Sequence, residues 1–544
     1  MSPHDSLNMN QSGPPSKSGH TIQFWGIFVA LCILSFISAL DVAIITTALP
    51  TITAEIGGAN IYVWIANSFV LASSVLQPLC GQLANIYGRR IPFIGSIVLF
   101  TLGSGIAGGA INAGMLIAGR TIQGIGAGGI YVLIDIVCCD LVPLRERGKY
   151  LSLMFSWSGV AAALGPVVGG ALAEANWRWI FYLNIPICTV TLVILLLFMR
   201  VKTTKLADSG LSQIDFLGNL IFIPSMISLL LGLVTGGIEH PWSSWRIILP
   251  LVLGIAGWIC FHIQQSYSSH PSVPPHLFSN RTSAAAYLLT FLSSVLVQAI
   301  SYFLPIYFQA VHGTTTLRSG INFLPFAIST LGSAVISGIL LSKFGAYRPI
   351  HAVSFALSAI GFGLLTLLNG HTKVVSWVFF QLIAGAGSGT ILSALLPAIM
   401  AALAESDVAS SSATFSFVRT FGYIWGVTIA SIIFNGQFNK NLPLISSPAL
   451  RDQLKNSAAY SFASQAHRLR TIIPESVWNE VVGVYVKSLR AIWWVGLGFS
   501  IVGLFVVALE KDLKLREDLK TEYGIEDEKD SSSPTDEESG LEMN

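Results

Sequence analysis

Residues 24–49 read FWGIFVALCILSFISALDVAIITTAL, 26 positions in which Asp41 is the single charged side chain. Wound as an α-helix at about 1.5 Å per residue, this run is about 39 Å long, more than the roughly 30 Å of a bilayer's hydrocarbon core. Similar apolar runs, broken by short polar stretches, follow at 62–83, 92–110, 113–139, 151–173, 180–199, 216–236, 247–265, 284–310, 320–341, 350–368, 374–403, 408–434 and 491–509. The pattern predicts an all-α integral membrane protein of about fourteen spanning helices, with Pro305 and Pro325 interrupting the ninth and tenth.

Composition excludes the main alternatives. Hydrophobic residues make up 53% of the chain and charged residues 11%, against roughly 25% charged in a soluble domain, which needs charge to cover its surface. A net charge of +2 provides no field for nucleic acid or for steering acidic partners. The six cysteines, Cys32, Cys80, Cys138, Cys139, Cys188 and Cys260, all lie in or at the ends of apolar runs, where they read as small packing residues rather than a disulfide framework or zinc site. The first 20 residues are polar, with Pro14-Pro15, and do not resemble a cleavable leader, so the first span is expected to be retained. There is no phosphate-binding glycine-lysine loop, and the glycines of 124–129 lie inside a span. No cofactor, metal or enzymatic chemistry is expected.

Basic residues set the expected orientation. With a cytosolic N-terminus, the inner loops carry Arg89, Arg90, Arg145, Arg147, Lys149, Arg200, Lys202, Lys205, Arg281, Lys343 and Arg348, while the outer short loops carry Arg178, Arg246, Arg318 and Lys373. An even number of spans returns the C-terminus to the cytosol. The expected division is a cytosolic tail (1–22), a six-helix bundle (23–200), two inserted helices (201–280), a second six-helix bundle (281–509) containing a long polar outer loop (435–489), and an acidic tail (510–544), expected to be disordered, with Ser531, Ser532 and Ser533.

The two bundles repeat. Gly81, Leu83, Gly88 and Pro92 recur with the same spacing as Gly338, Leu340, Gly345 and Pro349; Gly124, Gly126 and Gly128 recur as Gly385, Gly387 and Gly389. Two pseudo-symmetric halves around a shared site are the plan of secondary transporters.

Charge inside a bilayer costs about 2.5 to 3.5 kcal/mol even on lenient scales, so each case needs a partner or a purpose. Asp41 and Arg120 lie about 10 to 12 Å from the same face, counting residues from the ends of their runs. They can therefore meet, either as a proton-binding acid with a tuning partner or as a static ion pair. Asp135, near the inner end of the fourth run, is expected to reach toward Arg145, Arg147 or Lys149. Arg419 stands three turns into the thirteenth run without an acidic neighbour on its own helix, which leaves substrate binding, gating or a distant acid open. Gly165, Pro166, Gly169 and Gly170 form a cluster in which close packing and a mobile bend compete, with Pro166 favouring the bend. Trp64, Trp177, Trp179, Tyr182 and Trp242 read as an interfacial aromatic belt.

These motifs resemble the major facilitator superfamily, in particular its fourteen-span drug:proton antiporter branch found in fungi. Leu40-Asp41 through Ala48-Leu49-Pro50 resembles that branch's first-helix signature. The stretch Gly81-Gln82-Leu83-Ala84-Asn85-Ile86-Tyr87-Gly88-Arg89-Arg90 resembles the loop motif after the second helix. Arg120, Gln123, Gly124 and Gly126 fit the fourth-helix motif, whose arginine is linked to proton coupling; Gly165-Pro166-Val167-Val168-Gly169-Gly170 fits the antiporter motif; and Trp177 through Pro186 is similar to a stretch common in this branch. The resemblance implies the major facilitator fold with two extra helices, with proton coupling through Asp41 and Arg120; Gln123, from the fourth-helix motif, and Arg419, from its place inside the thirteenth run, are the candidates for substrate or gating roles. It also implies a gate loop of Asn85, Arg89, Arg90 and Asp140, and a bend at Gly165-Pro166. Asn85 departs from the family's usual Asp, and Asp140 is a candidate for the missing charge.

The expected activity is proton-coupled export of small amphipathic molecules (drugs, toxins or secondary metabolites) by alternating access, in the plasma membrane ahead of the vacuolar membrane. The expected partners are small-molecule substrate, protons and lipid, with no nucleic acid, and the chain is expected to act as a monomer. A vacuolar carrier of basic amino acids and a non-transporting nutrient sensor remain as alternatives.

Overall fold

A computed structural model describes residues 21–56, 62–199, 213–237, 240–454 and 458–517. Helices account for nearly all of it. In chain order they are α1 (Ile22–Ile56), α2 (Tyr62–Val75), α3 (Gln77–Ile86), α4 (Arg90–Gly108), α5 (Ala113–Leu141), α6 (Leu144–Asn176), α7 (Trp179–Tyr182), α8 (Asn184–Phe198), α9 (Phe216–Thr235), α10 (Trp245–Tyr267), α11 (Arg281–Ala310), α12 (Thr316–Phe344), α13 (Tyr347–Leu365), α14 (Val374–Leu392), α15 (Leu395–Met400), α16 (Val408–Asn441), α17 (Pro448–Leu454), α18 (Ala458–Leu469) and α19 (Glu475–Val507). In lipid a helix satisfies its own backbone polar groups, so apolar runs have no other stable form. The exposed first turns are completed by side chains at the polar breaks: Asn112 accepts from Met115 N at 2.8 Å, Asp215 from Gly218 N at 2.8 Å, and Asn280 from Thr282 N at 2.8 Å.

Among the described residues, twelve helices are long and apolar enough to cross a membrane, or thirteen when α2 and α3, bent by 41° at Leu76, form one span. The fourteen expected spans are thus not all reached by that test; the remaining run, 151–173, is helical within α6. Pro305 and Pro325 do not interrupt their helices.

The repeat has a structural cause. In α5, a methyl on Gly124 would sit 2.5 Å from Phe69 O of α2, and one on Gly126 would sit 2.6 Å from Ser96 O of α4. In α14, a methyl on Gly385 would sit 2.5 Å from Phe326 O of α12, and one on Gly387 would sit 2.6 Å from Ser358 N of α13. The same small positions press the same kind of helix triplet together in each half. Gly88 and Gly345 both adopt left-handed backbone, φ 75° and 68°, where a side chain would be strained.

α1, α2, α4, α5, α6 and α8 pack around one another, as do α11, α12, α13, α14, α16 and α19. The two sets meet along α6 with α12, and along α3 and α5 with α16. The pair α9–α10 sits outside: Phe222 and its neighbours on α9 pack on Leu71 and Val75 of α2 and on Phe417 and Ile424 of α16. α10 leaves Val252, Leu253, Ile259 and Ile263 exposed, as a lipid-facing surface requires. Gln82 fastens this pair in place. Its amide donates to Gln213 O and His270 O, both at 3.1 Å, and accepts from Asp215 N at 3.2 Å and Ser272 Oγ at 3.1 Å.

The stretch 435–489, read from sequence as a long loop, is largely helical. α16 continues to Asn441, α17 and α18 follow, and α19 begins at Glu475, well before its apolar part. One apolar and one polar contact within the stretch support this: Phe462 stacks on Trp478, and Tyr485 Oη donates to Ala459 O at 2.6 Å.

The tail expectation is corrected for residues 510–517, which form an ordered strap. Glu510 is buried against His351 at 2.9 Å, Tyr347 Oη donates to Lys511 O, and Lys511 N donates to Thr282 Oγ1 at 3.1 Å. Arg516 then donates to Met400 O and Leu403 O, while its own carbonyl accepts from Arg145 N of α6 at 3.2 Å. Residues 518–544, including the serines at 531–533, and residues 1–20 lie outside the described residues.

Candidate functional site

Four elements of the first half converge on Asp41. Arg120 Nη1 of α5 donates to Asp41 Oδ2 at 2.5 Å and to Gln123 Oε1 at 2.8 Å. Gln123, one turn further along α5, donates through Nε2 to Asp41 Oδ1 at 2.8 Å and to Ser104 Oγ of α4 at 2.9 Å. Asn184, the first residue of α8, donates to Asp41 Oδ1 at 2.9 Å and to Ser104 Oγ at 3.2 Å. The Arg120 guanidinium lies over the Phe69 ring, 4.3 Å from its centre, with the Phe181 ring 5.9 Å away. All five polar residues are at most 2% exposed.

The depth argument therefore holds: Asp41 and Arg120 meet. The carboxylate receives three donors in a buried pocket, while Arg120 Nε has no hydrogen-bond partner among the described residues and its guanidinium is covered by the Phe69 ring. Gln123 belongs to this cluster. In this conformer the cluster is buried away from solvent.

A second cluster lies at the end bearing the arginine loops. Arg89 donates to Asp140 Oδ2 at 2.8 Å and to Ala84 O at 2.6 Å, and stands 3.4 Å from Asn85 Oδ1. Asn85 Nδ2 donates across the halves to Ser410 Oγ in the first turn of α16 at 3.1 Å. Asp140 thus supplies the counter-charge that Asn85 cannot. Arg90 does not join this cluster; it is exposed and donates to Leu196 O at 3.1 Å. Beside them Arg147 of α6, fully buried, bonds Glu405 of the second half at 2.9 Å, and Glu405 also forms an ion pair with Arg516 of the strap at 3.3 Å.

Asp135 does not reach toward the inner arginines. Its partner is Arg419 of α16, at 3.4 Å, with Ser416 Oγ at 2.8 Å. Arg419 therefore has the distant acid as its neighbour, and its guanidinium lies between the rings of Phe155 (5.0 Å) and Phe415 (4.9 Å). Gly165 is buried against Ala43 of α1, which accounts for its size by close packing. α6 runs without a break through this region; Gly169 is buried too, and the Pro166 and Gly170 positions lie outside the described side chains.

Sequence reasoning missed Asn184, Ser104 and Glu405. Asn184 had a signal, an amide followed two positions later by Pro186 inside an apolar stretch; Ser104 had none.

With this geometry in view, the comparisons with known proteins are decisive. The profile of the Major Facilitator Superfamily matches residues 31–427. This chain belongs to the major facilitator superfamily. It is 44% identical to an MFS efflux transporter, aclA, of Aspergillus oryzae, over 96% of each chain. It is 41% identical to the acurin A biosynthesis cluster MFS-type transporter of Aspergillus aculeatus, covering 95% of this facilitator and 94% of that protein. Its fold matches the crystal structure of the human organic anion transporter MFSD10 with a TM-score of 0.59, covering 90% of this chain and all of that one at 13% identity. The facilitator is an integral membrane transporter that handles small molecules.

Proposed function

We propose that this facilitator exports small amphipathic molecules, drugs, toxins or secondary metabolites, in exchange for protons. The observation that carries this reading is the buried Asp41–Arg120 pair, held by Gln123 and Asn184 across three helices of one half. An ion pair kept in the low-dielectric interior is costly to maintain and costly to break, so loading and unloading a proton on Asp41 shifts the packing of every helix that donates to it. The names of the relatives support export, and one of them places its protein in a biosynthetic cluster, which supports a secondary metabolite as cargo. Two halves, 23–200 and 281–509, would rock about the α6–α12 and α5–α16 seams, with the inserted pair carried between them and Gly165-Pro166 yielding in α6. The excess of basic residues at the arginine-loop end supports a cytosolic position for that end and for both termini. The plasma membrane is the proposed residence, and the monomer the working unit.

The test is transport into reconstituted vesicles, with an imposed pH gradient and a panel of amphipathic dyes and fungal metabolites. Gradient-driven movement of at least one compound is expected for the wild type, and its loss in Asp41→Asn at equal reconstituted amount. Export by Asp41→Asn at the wild-type rate would remove Asp41 from the mechanism; a wild type indifferent to the gradient would remove proton coupling altogether.

A further inference from the structure

Three acids are buried in α1 and α5, and they are not held equally. Asp41 receives three donors, and Asp140 is bonded at 2.8 Å by Arg89. Asp135 has one short bond, from Ser416, and a long contact with Arg419; its Oδ1 and the Nη1 of Arg419 are buried with no hydrogen-bond partner among the described residues. Of the three, Asp135 alone has its cation on the other half of the molecule.

We propose that Asp135 is a second proton-binding carboxylate, whose protonation frees Arg419 and unlocks the two halves at the arginine-loop end. The inference rests on the proton-coupled reading above and goes beyond it by adding a site and a direction. When the halves part, α5 and α16 separate and Asp135 loses Arg419. An unpaired carboxylate left in an apolar seam is strongly disfavoured, and a neutral carboxylic acid is not. Arg419 can bear the loss more easily: its guanidinium keeps the Phe415 ring of its own helix, and its side chain is 12% exposed against 1% for Asp135. The proton binds the unpartnered Oδ1, the Oδ2 contact with Arg419 breaks, and the same proton leaves toward the opposite side once that end has opened. No covalent bond changes; the Ser416 hydrogen bond and the Asn85–Ser410 and Arg147–Glu405 contacts across the same seam are given up as the end opens.

The neighbouring groups do not offer a substitute cation. Tyr423 and Ser416 face Asp135 from α16, and Tyr131, Cys138 and Cys139 share its helix. Asp41 and Cys32 of α1, Arg120 of α5 and Arg147 of α6 act on those neighbours from further out; Arg120 is engaged by Asp41 and Arg147 by Glu405. The sign follows. With Asp135 charged and paired to Arg419 the end is held shut; lowering the pH favours the open end. Protons entering from the outer side would thus open the inner side, the order that antiport requires.

Spin labels on Ile91→Cys and Phe344→Cys, exposed positions on opposite halves at this end, read the opening without any substrate. Cys80 and Cys260, the two cysteines that are not buried, are replaced by Ser. The expected result is a short wild-type distance at pH 8 that gives way to a longer one toward pH 5. Asp135→Asn should hold the long distance at both, and Ser416→Ala should raise the midpoint by about one pH unit, the scale of one hydrogen bond to a charged group. A wild-type distance that ignores pH, an Asp135→Asn protein with the wild-type response, or an unmoved Ser416→Ala midpoint each overturns the proposal. If Asp135→Asn does not fold, the Ser416→Ala midpoint decides. Vesicle transport, with ethidium as one probe of the panel, separates the two levels: wild-type vesicles blind to the gradient sink the proton-coupled reading itself. Wild-type and Asp135→Asn vesicles with the same proton-to-substrate ratio sink this inference alone.

Discussion

At the scale of single residues, the cost of burying charge made Asp41 and Arg120 visible before any coordinates. A charge in an apolar run has few innocent explanations, and its depth follows from counting turns. Asn184 escaped the same reasoning because an amide is cheap enough to occur in spans for many reasons. The Asp135–Arg419 pairing was out of reach for another cause: the partners are separated by 284 positions, and no local pattern links them. Two substitutions test the reading at this scale. Asn184→Ala deletes one donor to the Asp41 carboxylate, an interaction of about 1.5 to 3 kcal/mol. Proton-driven export should fall by about tenfold or more while membrane abundance stays near wild type, as measured by vesicle transport beside a quantitative blot. Asn85→Asp, in contrast, should be tolerated: it sets a second carboxylate 3.4 Å from Arg89, and Ser410 can turn its hydroxyl to donate. Misfolding on a size-exclusion profile would show that the amide's donor role matters more than the added charge.

Among the elements, α5 organises the most chemistry. One side carries Gly124 and Gly128 against α2, the opposite side carries Gly126 against α4, and along its length it holds Arg120, Gln123, Asp135 and Asp140. The glycine spacing and its recurrence in α14 were legible in the chain, because close helix approach demands small side chains at fixed intervals. The continuation of α16 and α19 past the bilayer was not, since polar residues at helix ends look the same as polar residues in loops. Gly126→Leu should force α4 and α5 apart. A loss of at least about 1 to 3 kcal/mol is expected from such overpacking, read as a lowered unfolding temperature of the detergent-purified protein. Gly320→Ala, at a position with open space around it, is the matched control and should leave that temperature unchanged.

Seen as a whole molecule, the halves are joined most firmly at the arginine-loop end. Arg147–Glu405, Asn85–Ser410 and Asp135–Arg419 all cross there, and the strap of residues 510–517 ties Tyr347 and His351 of α13 and Glu405 to Arg145 of α6. Deleting 510–544 should lengthen the distance between labels at 91 and 344 at pH 8, whereas deleting 518–544 should leave it unchanged. Equal distances in the two truncations would show that the strap adds nothing to closure. Because these eight residues emerge from the ribosome after every spanning helix, a premature stop at Lys511 would spare all the spans and remove the latch. The protein would then keep every span yet lack the contacts that run from α13 across to α6, leaving closure at the arginine-loop end to the side-chain pairs alone.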